Sequence, residues 1–371
     1  MADSKYKALL RELKAKIFAG GYDGEHPFPS ESAMARELAV SRNTVHRAFQ
    51  ELRRLRLIEG RVGVAPTVTP RGARRKIGLM VPGLAYSEFF QPIIRAVSRL
   101  AMKHGYTLIF GSMEPDNYAR GIDRARKYAE SLVAEGVAGI ICQPLEFVDK
   151  MAEANAKVMS VFEAAKVPVV LIDYDIVAAP ERSKYDLVGI DNHSAGFRLA
   201  NHLLAQGARR IDFLMRPNCS YSVHRRFDGV CTAVFHHGRA EVRRIVADPG
   251  DAAKIRGLFR RGRPDAVVCG NDAVAALFKQ TAERLSLRVP DDLLLAGFDD
   301  VSIASLLSPP LTTIRQPCRE IGEAAFMALV GRMNNPGSTI REIYLDAPLV
   351  VRGSTAGTGS AQRKKKKGKY P

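Results

Sequence analysis

The sequence predicts an α/β protein in two parts: a small N-terminal head of short helices closed by a hairpin, and a large domain of parallel sheets covered on both faces by helices. Three observations predict it. Residues 29–68 place two short amphipathic helices and a Gly-containing hairpin in one basic segment. From residue 76 onward, continuous apolar runs alternate with segments of helical length, which is βα repetition. A chain of 371 residues exceeds one small domain and suits one small unit followed by one large.

The head begins with MADSKYKALLRELK, charged and helical, without the apolar core of an export signal. Ser30 is a good N-cap, Glu31 complements the helix dipole, and Met34, Leu38 and Val40 close a first short helix. Val40-Ser41 makes a tight turn. Ser41 caps the next helix, on which Val45, Phe49, Leu52 and Leu55 recur at helical spacing. Arg42, Asn43, Thr44, His46 and Arg47 then fall near its start on the remaining faces. A helix start entering the major groove touches base edges with its first side chains while arginines and backbone amides hold phosphates, so these five are candidate contacts to double-stranded DNA. Ile58 and Val68 flank a loop containing Gly63, and Arg61 in that loop is a sixth candidate, along the backbone or in the minor groove. The charge pattern alone equally fits an amphipathic hairpin with a solvated basic face.

The wording of the segment adds to the pattern. FPSESAMARELAVSRNTVHRAFQELRRLRLIEGRVG resembles the winged helix-turn-helix of the GntR family, with its Pro-Ser-Glu start, Val-Ser-Arg-x-Thr-Val turn, Leu-Ile-Glu exit and Gly-containing wing in order. The resemblance covers roughly residues 5 to 70. It implies operator DNA as a partner and places Arg42, Thr44 and His46 at base- or phosphate-contacting positions. Ser32 stands where many relatives carry a DNA-contacting Arg, and Gly63-Val64-Ala65-Pro66 replaces the usual Gly-x-Gly-Thr of the wing.

After the basic stretch Pro70-Arg71-Gly72-Ala73-Arg74-Arg75, strand candidates follow in order: KIGLMVP, YTLIFGS, VAGIICQP, VPVVLIDYD, LVGIDN, RIDFLMRP, AVVCGND, LLLAGFDD and TTIRQP. Residues 88–104, 117–135, 193–206 and 272–286 have helical length and spacing. The expected division is 1–70 for the head, 71–76 for a linker, 77–355 for the large domain and 356–371 for a basic disordered tail. Ligands of parallel sheets sit at the carboxyl ends of the strands, which singles out Asp173, Asp191, Asn192, Asn271, Asp272, Asp299, Asp300 and Gln316. Amides and carboxylates in such places suit a polyhydroxylated ligand, and they serve equally well as caps of the following helices.

Residues 76 to 353 resemble the effector domain of the LacI family, related in fold to periplasmic sugar-binding proteins. The matching pieces run from IGLMVPGLAYSEFFQPIIRAV and VGIDNHSAG through HRRFDGV and PDAVVCGNDAVAALF to LRVPDDLLLAGFDDVSIASLLSPPLTTIRQP. The resemblance implies a two-lobed type I periplasmic-binding-protein-like domain, a homodimer, and a small-molecule effector, a sugar, held between the lobes. Carried over position by position, Phe89 and Phe90 wall the pocket from the first helix and Asp173 follows the fourth strand of the domain. Ser222 and Arg226 start a helix of the second lobe, and Asn271, Asp299 and Gln316 complete the polar lining, with Arg226 the main charged donor. The chain has no Trp, so Phe or Tyr must supply any stacking surface. A LacI-type head and hinge helix are missing, and Pro66 and Pro70 oppose a long helix in the linker, so coupling to DNA must run through dimer geometry and the linker.

Charge agrees with this division. The net charge is +17, yet residues 77–359 hold 34 basic against 31 acidic side chains, so the positive potential lies in head and tail. No apolar run approaches the ~20 residues that cross a bilayer, which points to the cytoplasm and no membrane partner. Cys142, Cys219, Cys231, Cys269 and Cys318 are scattered and odd in number, as buried thiols would be. GxGxxG after the first strand, GxxxxGK[ST], HExxH and GxSxG are all missing, so neither an enzyme nor a metal or cofactor site is expected. Two alternatives fit the large domain: a solute-binding protein for sugar uptake, which would need export and has no use for a basic head, and a regulator whose effector is a nucleobase.

Overall fold

The computed structural model describes residues 2–18, 22, 26–55, 57–60, 64–69, 76–82, 88–113, 118–260 and 262–356. In the head, α1 (Ala2–Phe18), α2 (Glu31–Glu37) and α3 (Arg42–Arg54) surround a core of Leu13, Phe28, Met34, Val45, Phe49 and Leu52. Both expected caps form. Ser30 Oγ accepts from the Ala33 N–H at 3.2 Å, and Ser41 Oγ accepts from the Thr44 N–H at 3.2 Å. Ala39, at φ 48°, bends the chain between the two helices. The hairpin is an antiparallel pair of β1 (Ile58–Glu59) and β2 (Thr67–Val68), with Ile58 opposite Val68. Arg61 and Gly63 of its loop, Pro70–Arg75 of the linker and the tail from residue 357 lie outside the described residues.

The large domain consists of two lobes. The first carries β3 (Lys76–Pro82), β4 (Thr107–Met113), β5 (Gly139–Cys142), β6 (Val169–Ile172), β7 (Asp186–Ile190) and β13 (Glu342–Leu345), in the order β13-β7-β6-β5-β3-β4 and parallel throughout. Its helices are α4 (Phe90–Lys103), α5 (Tyr118–Ala134), α6 (Met151–Ala164) and, returning late in the chain, α12 (Cys318–Asn334). The second lobe carries β8 (Arg210–Met215), β9 (Glu241–Val246), β10 (Ala266–Cys269), β11 (Leu294–Asp299), β12 (Thr312–Arg315) and β14 (Leu349–Val350), in the order β14-β12-β11-β10-β8-β9. With them run α7 (Asn192–Ala205), α8 (Tyr221–His237), α9 (Ala252–Arg260), α10 (Asp272–Arg284) and α11 (Ser302–Leu306).

Two expectations are corrected. Lys76, placed at the end of the linker, is the first residue of β3: it pairs with Thr107, and its ammonium meets Glu135 at 2.6 Å. The second sheet is not wholly parallel, because β14 runs antiparallel to β12. The reason is directional. The strand ends of both lobes face the same cleft, so a chain leaving β13 at its carboxyl end enters the second sheet at the carboxyl end of β12 and must run the opposite way. The chain crosses between lobes three times, at residue 191, at 316–317 and at 346–348.

The second lobe also owes its shape to two glycines. A Cβ on Gly196 of α7 would lie 2.0 Å from the Arg226 carbonyl oxygen, and one on Gly229 of α8 would lie 2.0 Å from the His193 carbonyl oxygen. The two helices therefore touch backbone to backbone, and Arg226 is seated by that contact.

Candidate functional site

Two surfaces are built from the sequence-predicted residues. On the head, Arg42, Asn43 and Arg47 are exposed at the start of α3. The Arg47 guanidinium stands 4.7 Å from the Tyr6 ring, which orients it without burying it. Thr44 and His46 sit lower. Thr44 Oγ1 is 2.8 Å from Ser41 Oγ, and His46 Nδ1 is 2.9 Å from Glu31 Oε2, while Arg53 donates to the other Glu31 oxygen at 3.1 Å. Glu31 thus staples α2 to α3 through two side chains. Gln50, exposed and 3.0 Å from His46 Nε2, extends the open face by a turn and was not singled out by the sequence.

The second surface is the cleft. Arg226, 3% exposed, donates from Nε to Asn192 Oδ1 at 2.9 Å and from Nη1 to the Gly270 carbonyl at 2.8 Å. Asp299 Oδ1 is 3.6 Å from Nη1, and the guanidinium lies 4.8 Å over the Phe298 ring. Gln316 donates to Asp299 Oδ1 at 2.7 Å. Asn192 directly follows the first crossing and Gln316 lies in the second, so this network ties two of the three crossings to the second lobe. From the first lobe, Asp173 follows β6 and hydrogen-bonds Ser222, whose hydroxyl is 2.9 Å from that of Ser220. Asp173 Oδ1 and Gln316 Oε1 are buried without a partner among the protein atoms.

Charge is concentrated here. Burial, reinforced by Asp299 and opposed by Arg226, pushes the Asp173 carboxyl up to about 6. Glu146, not singled out by the sequence, is pushed up to about 7 by burial and by Asp173, with a hydrogen bond to Ser220 acting the other way. Burial raises Asp299 too, against the pull of Arg226. Asp173 stands at φ 73° and Asp299 at φ 110°, conformations unfavourable to non-glycine residues that persist only where the surroundings over-determine them.

Other predicted residues are placed differently. Asn271 Oδ1 accepts from the Val274 N–H at 2.9 Å and so caps α10, the role that the sequence left open beside binding. Phe89 and Phe90 meet edge to face with centroids 4.8 Å apart. Both are buried in the core, and Phe89 also lines a cavity of about 540 Å³ with Pro92, Asp299, Gln316 and Cys318. Tyr174 and Tyr221, from opposite lobes, face each other at 6.5 Å. The lobes also touch directly: the Phe147 N–H donates to the Asn218 carbonyl at 2.7 Å, and the Ser302 N–H to Glu88 at 2.7 Å. Among the described residues no group of three or more His, Cys, Asp or Glu is arranged to hold a metal ion, and no helix is long and apolar enough to cross a membrane.

Comparison with known proteins gives a consistent result. Residues 5–68 match the model of bacterial regulatory proteins of the gntR family, and residues 200–355 that of a periplasmic binding protein-like domain. Over 359 residues, 92% of this chain and 94% of the relative, the sequence is 28% identical to the HTH-type transcriptional repressor CytR of Escherichia coli (strain K12). It is 27% identical over 371 residues to the arabinose metabolism transcriptional repressor of Geobacillus stearothermophilus, covering 95% of this chain and 97% of the relative. In fold it is similar to a LacI family transcriptional regulator from Enterococcus faecium with bound ribose, with TM-score 0.60 and 22% identity, over 76% of this chain and 98% of that one. A gntR-type head is thus joined to a periplasmic-binding-protein-like domain, and curated relatives of nearly full length are transcriptional repressors.

Proposed function

We propose that this chain, a gntR-type head on a two-lobed sensor, is a transcriptional repressor that binds operator DNA as a homodimer and is switched by a small polyhydroxylated effector in its cleft. The observation that carries this reading is the Arg226–Asp299–Gln316–Asn192 network, a buried polar site wired to two of the three crossings in a chain whose head exposes Arg42, Asn43 and Arg47. The names of the curated relatives support repression, and the ribose held by the Enterococcus faecium regulator supports a sugar. The reading assigns the protein no catalysis and puts it in the cytoplasm with its DNA.

The mechanism follows from the wiring. A ligand that bonds Asp299, Arg226 and Asp173 at once has contacts with both lobes only when they are closed, so it binds that state better and shifts the population toward it. Closure moves the crossings, hence the first lobes and the heads they carry, and a two-fold operator senses the spacing of paired heads. The test has two arms. Selection from a random duplex pool should return a two-fold sequence, and a thermal-shift panel of pentoses and hexoses should show at least one that raises the melting temperature. Failure to select any sequence removes the DNA-reading half, and a flat panel removes the sugar-sensing half.

A further inference from the structure

The cleft has an imbalance that a neutral sugar leaves uncorrected. Glu146, Asp173 and Asp299 are three carboxylates within one another's fields, and Arg226 is the cation acting on all three. Arg315 and Arg352 are engaged elsewhere, each approaching Asp300 at 2.6 Å, and the Arg216 guanidinium lies 5.4 Å over the Phe147 ring. Arg226 in turn donates from Nε to Asn192 and from Nη1 to the Gly270 carbonyl, with Asp299 beyond Nη1.

The unmet hydrogen-bonding capacity has the same sign. Asp173 Oδ1 and Gln316 Oε1 are buried acceptors without a partner, and the orientation of the Gln316 amide is fixed because its NH₂ donates to the Asp299 carboxylate, which can only accept. Gln316 is 6% exposed and lines the cavity beside Asp299. Gln143, 2% exposed at the end of β5, has an unpartnered amide oxygen as well. No buried side-chain donor of the cleft among the described residues stands unpaired. An anionic ligand would meet carboxylates and lone pairs. A neutral polyol would satisfy the acceptors and leave the charge.

Building on the reading of this cleft as the effector site, we propose that its effector class is the amine-bearing polyols, amino sugars in their protonated form, rather than neutral sugars or sugar acids. An ammonium group supplies three donors and a second positive charge to a site where one arginine acts on three carboxylates, and the ring hydroxyls engage Arg226, Asn192 and the serines. The protons that Glu146 and Asp173 hold near neutral pH are the counterpart: the empty site lowers its own charge by protonation, and a cationic ligand replaces those protons.

The experiment is calorimetry on the full chain at pH 7, where the amines are mostly protonated, with three series: D-glucosamine, D-galactosamine and D-mannosamine; their parent neutral hexoses and N-acetyl derivatives; and D-glucuronate with D-galacturonate. At least one amino sugar should bind about tenfold or more tighter than its neutral parent and its N-acetyl derivative, a difference of ~1.4 kcal/mol. The uronates should not bind. The preference should shrink as pH falls from 7 to 5, through the range where Asp173 and Glu146 take up protons while the amine stays charged, and should be lost in Glu146→Gln, whose fold is checked by its melting curve. A parent hexose or a uronate binding as tightly as the amino sugar overturns this proposal and leaves the sugar-sensor reading standing. A panel in which nothing binds at millimolar concentration overturns this proposal, and the sugar-sensor reading falls with it only if the pentoses of the thermal-shift panel are flat as well.

Discussion

Glu146 and Asp173 titrate where few carboxylates do. Burial holds Glu146 at about 7 and Asp173 at about 6, above the ordinary 4.5 and 3.8, so between those limits the folded chain keeps protons that the unfolded chain has released. The stability they contribute is complete below the ordinary values and is lost as pH rises toward 7. His104, His202 and His224, lowered by burial, act in the opposite direction nearby, so the pair is isolated by difference. In Glu146→Gln the melting temperature relative to wild type should be higher at pH 8 than at pH 5, because only the ionised carboxylate is costly. A difference independent of pH would place Glu146 in solvent. The residue itself was hard to find in the sequence. The strand-end rule selects positions immediately after apolar runs, which yields Asp173 and Asp299, whereas Glu146 stands four residues beyond β5 and reaches the cleft only through the fold. Asn271 satisfies the same rule and turns out to cap α10, because a side chain at a strand-to-helix junction can answer either demand.

At the scale of elements, local signals translated directly and remote ones did not. Ser30 and Ser41 could be identified as caps because each meets an amide three residues away. The strands β9, β13 and β14 had no such signature. Glu241–Val246 mixes exposed, half-buried and buried positions without a regular alternation, Glu342–Leu345 is short, both carry charge, and their strand partners β8 and β7 lie far away in sequence. Two elements invite direct tests. On α3, Arg42 is exposed at the first turn, and Arg42→Ala should lower operator affinity by about 1 to 3 kcal/mol if its contact is bidentate to a base. A gel-shift titration checks this, and affinities equal to wild type across salt concentrations would take Arg42 out of the interface. Between α7 and α8, an added Cβ at Gly196 has only backbone in its way, so Gly196→Ala should cost about 1 to 3 kcal/mol of stability by forcing the helices apart. It should also weaken the effector response, because the obstructing oxygen belongs to Arg226. Wild-type melting together with a wild-type response would show that the two helices do not meet there.

At the scale of the whole molecule, the proposed function divides recognition between two units, DNA at the head and effector at the cleft. The reading surface depends on a head core of Phe28, Val45 and Phe49, and the cleft depends on two sheets that share three crossings. That division was legible from the charge distribution and the βα repetition. The antiparallel β14 was not, because its direction is set by the cleft-facing strand ends of two lobes and not by its own residues. On the proposed function, the cleft controls the head. The most direct test of that control is the fluorescence anisotropy of a selected operator duplex bound to the full chain, titrated with the tightest-binding sugar of the calorimetric panel, for wild type and Asp299→Asn. Asparagine keeps the shape and the hydrogen bond to Gln316 but removes the charge facing Arg226. Wild type should change its operator affinity by about fivefold or more on saturation, the usual range of allosteric coupling, and Asp299→Asn should bind the operator equally well without ligand yet need far more sugar to respond. Saturation of the wild-type cleft with no change in operator affinity would contradict that control, and so would an Asp299→Asn protein that responds at wild-type concentrations.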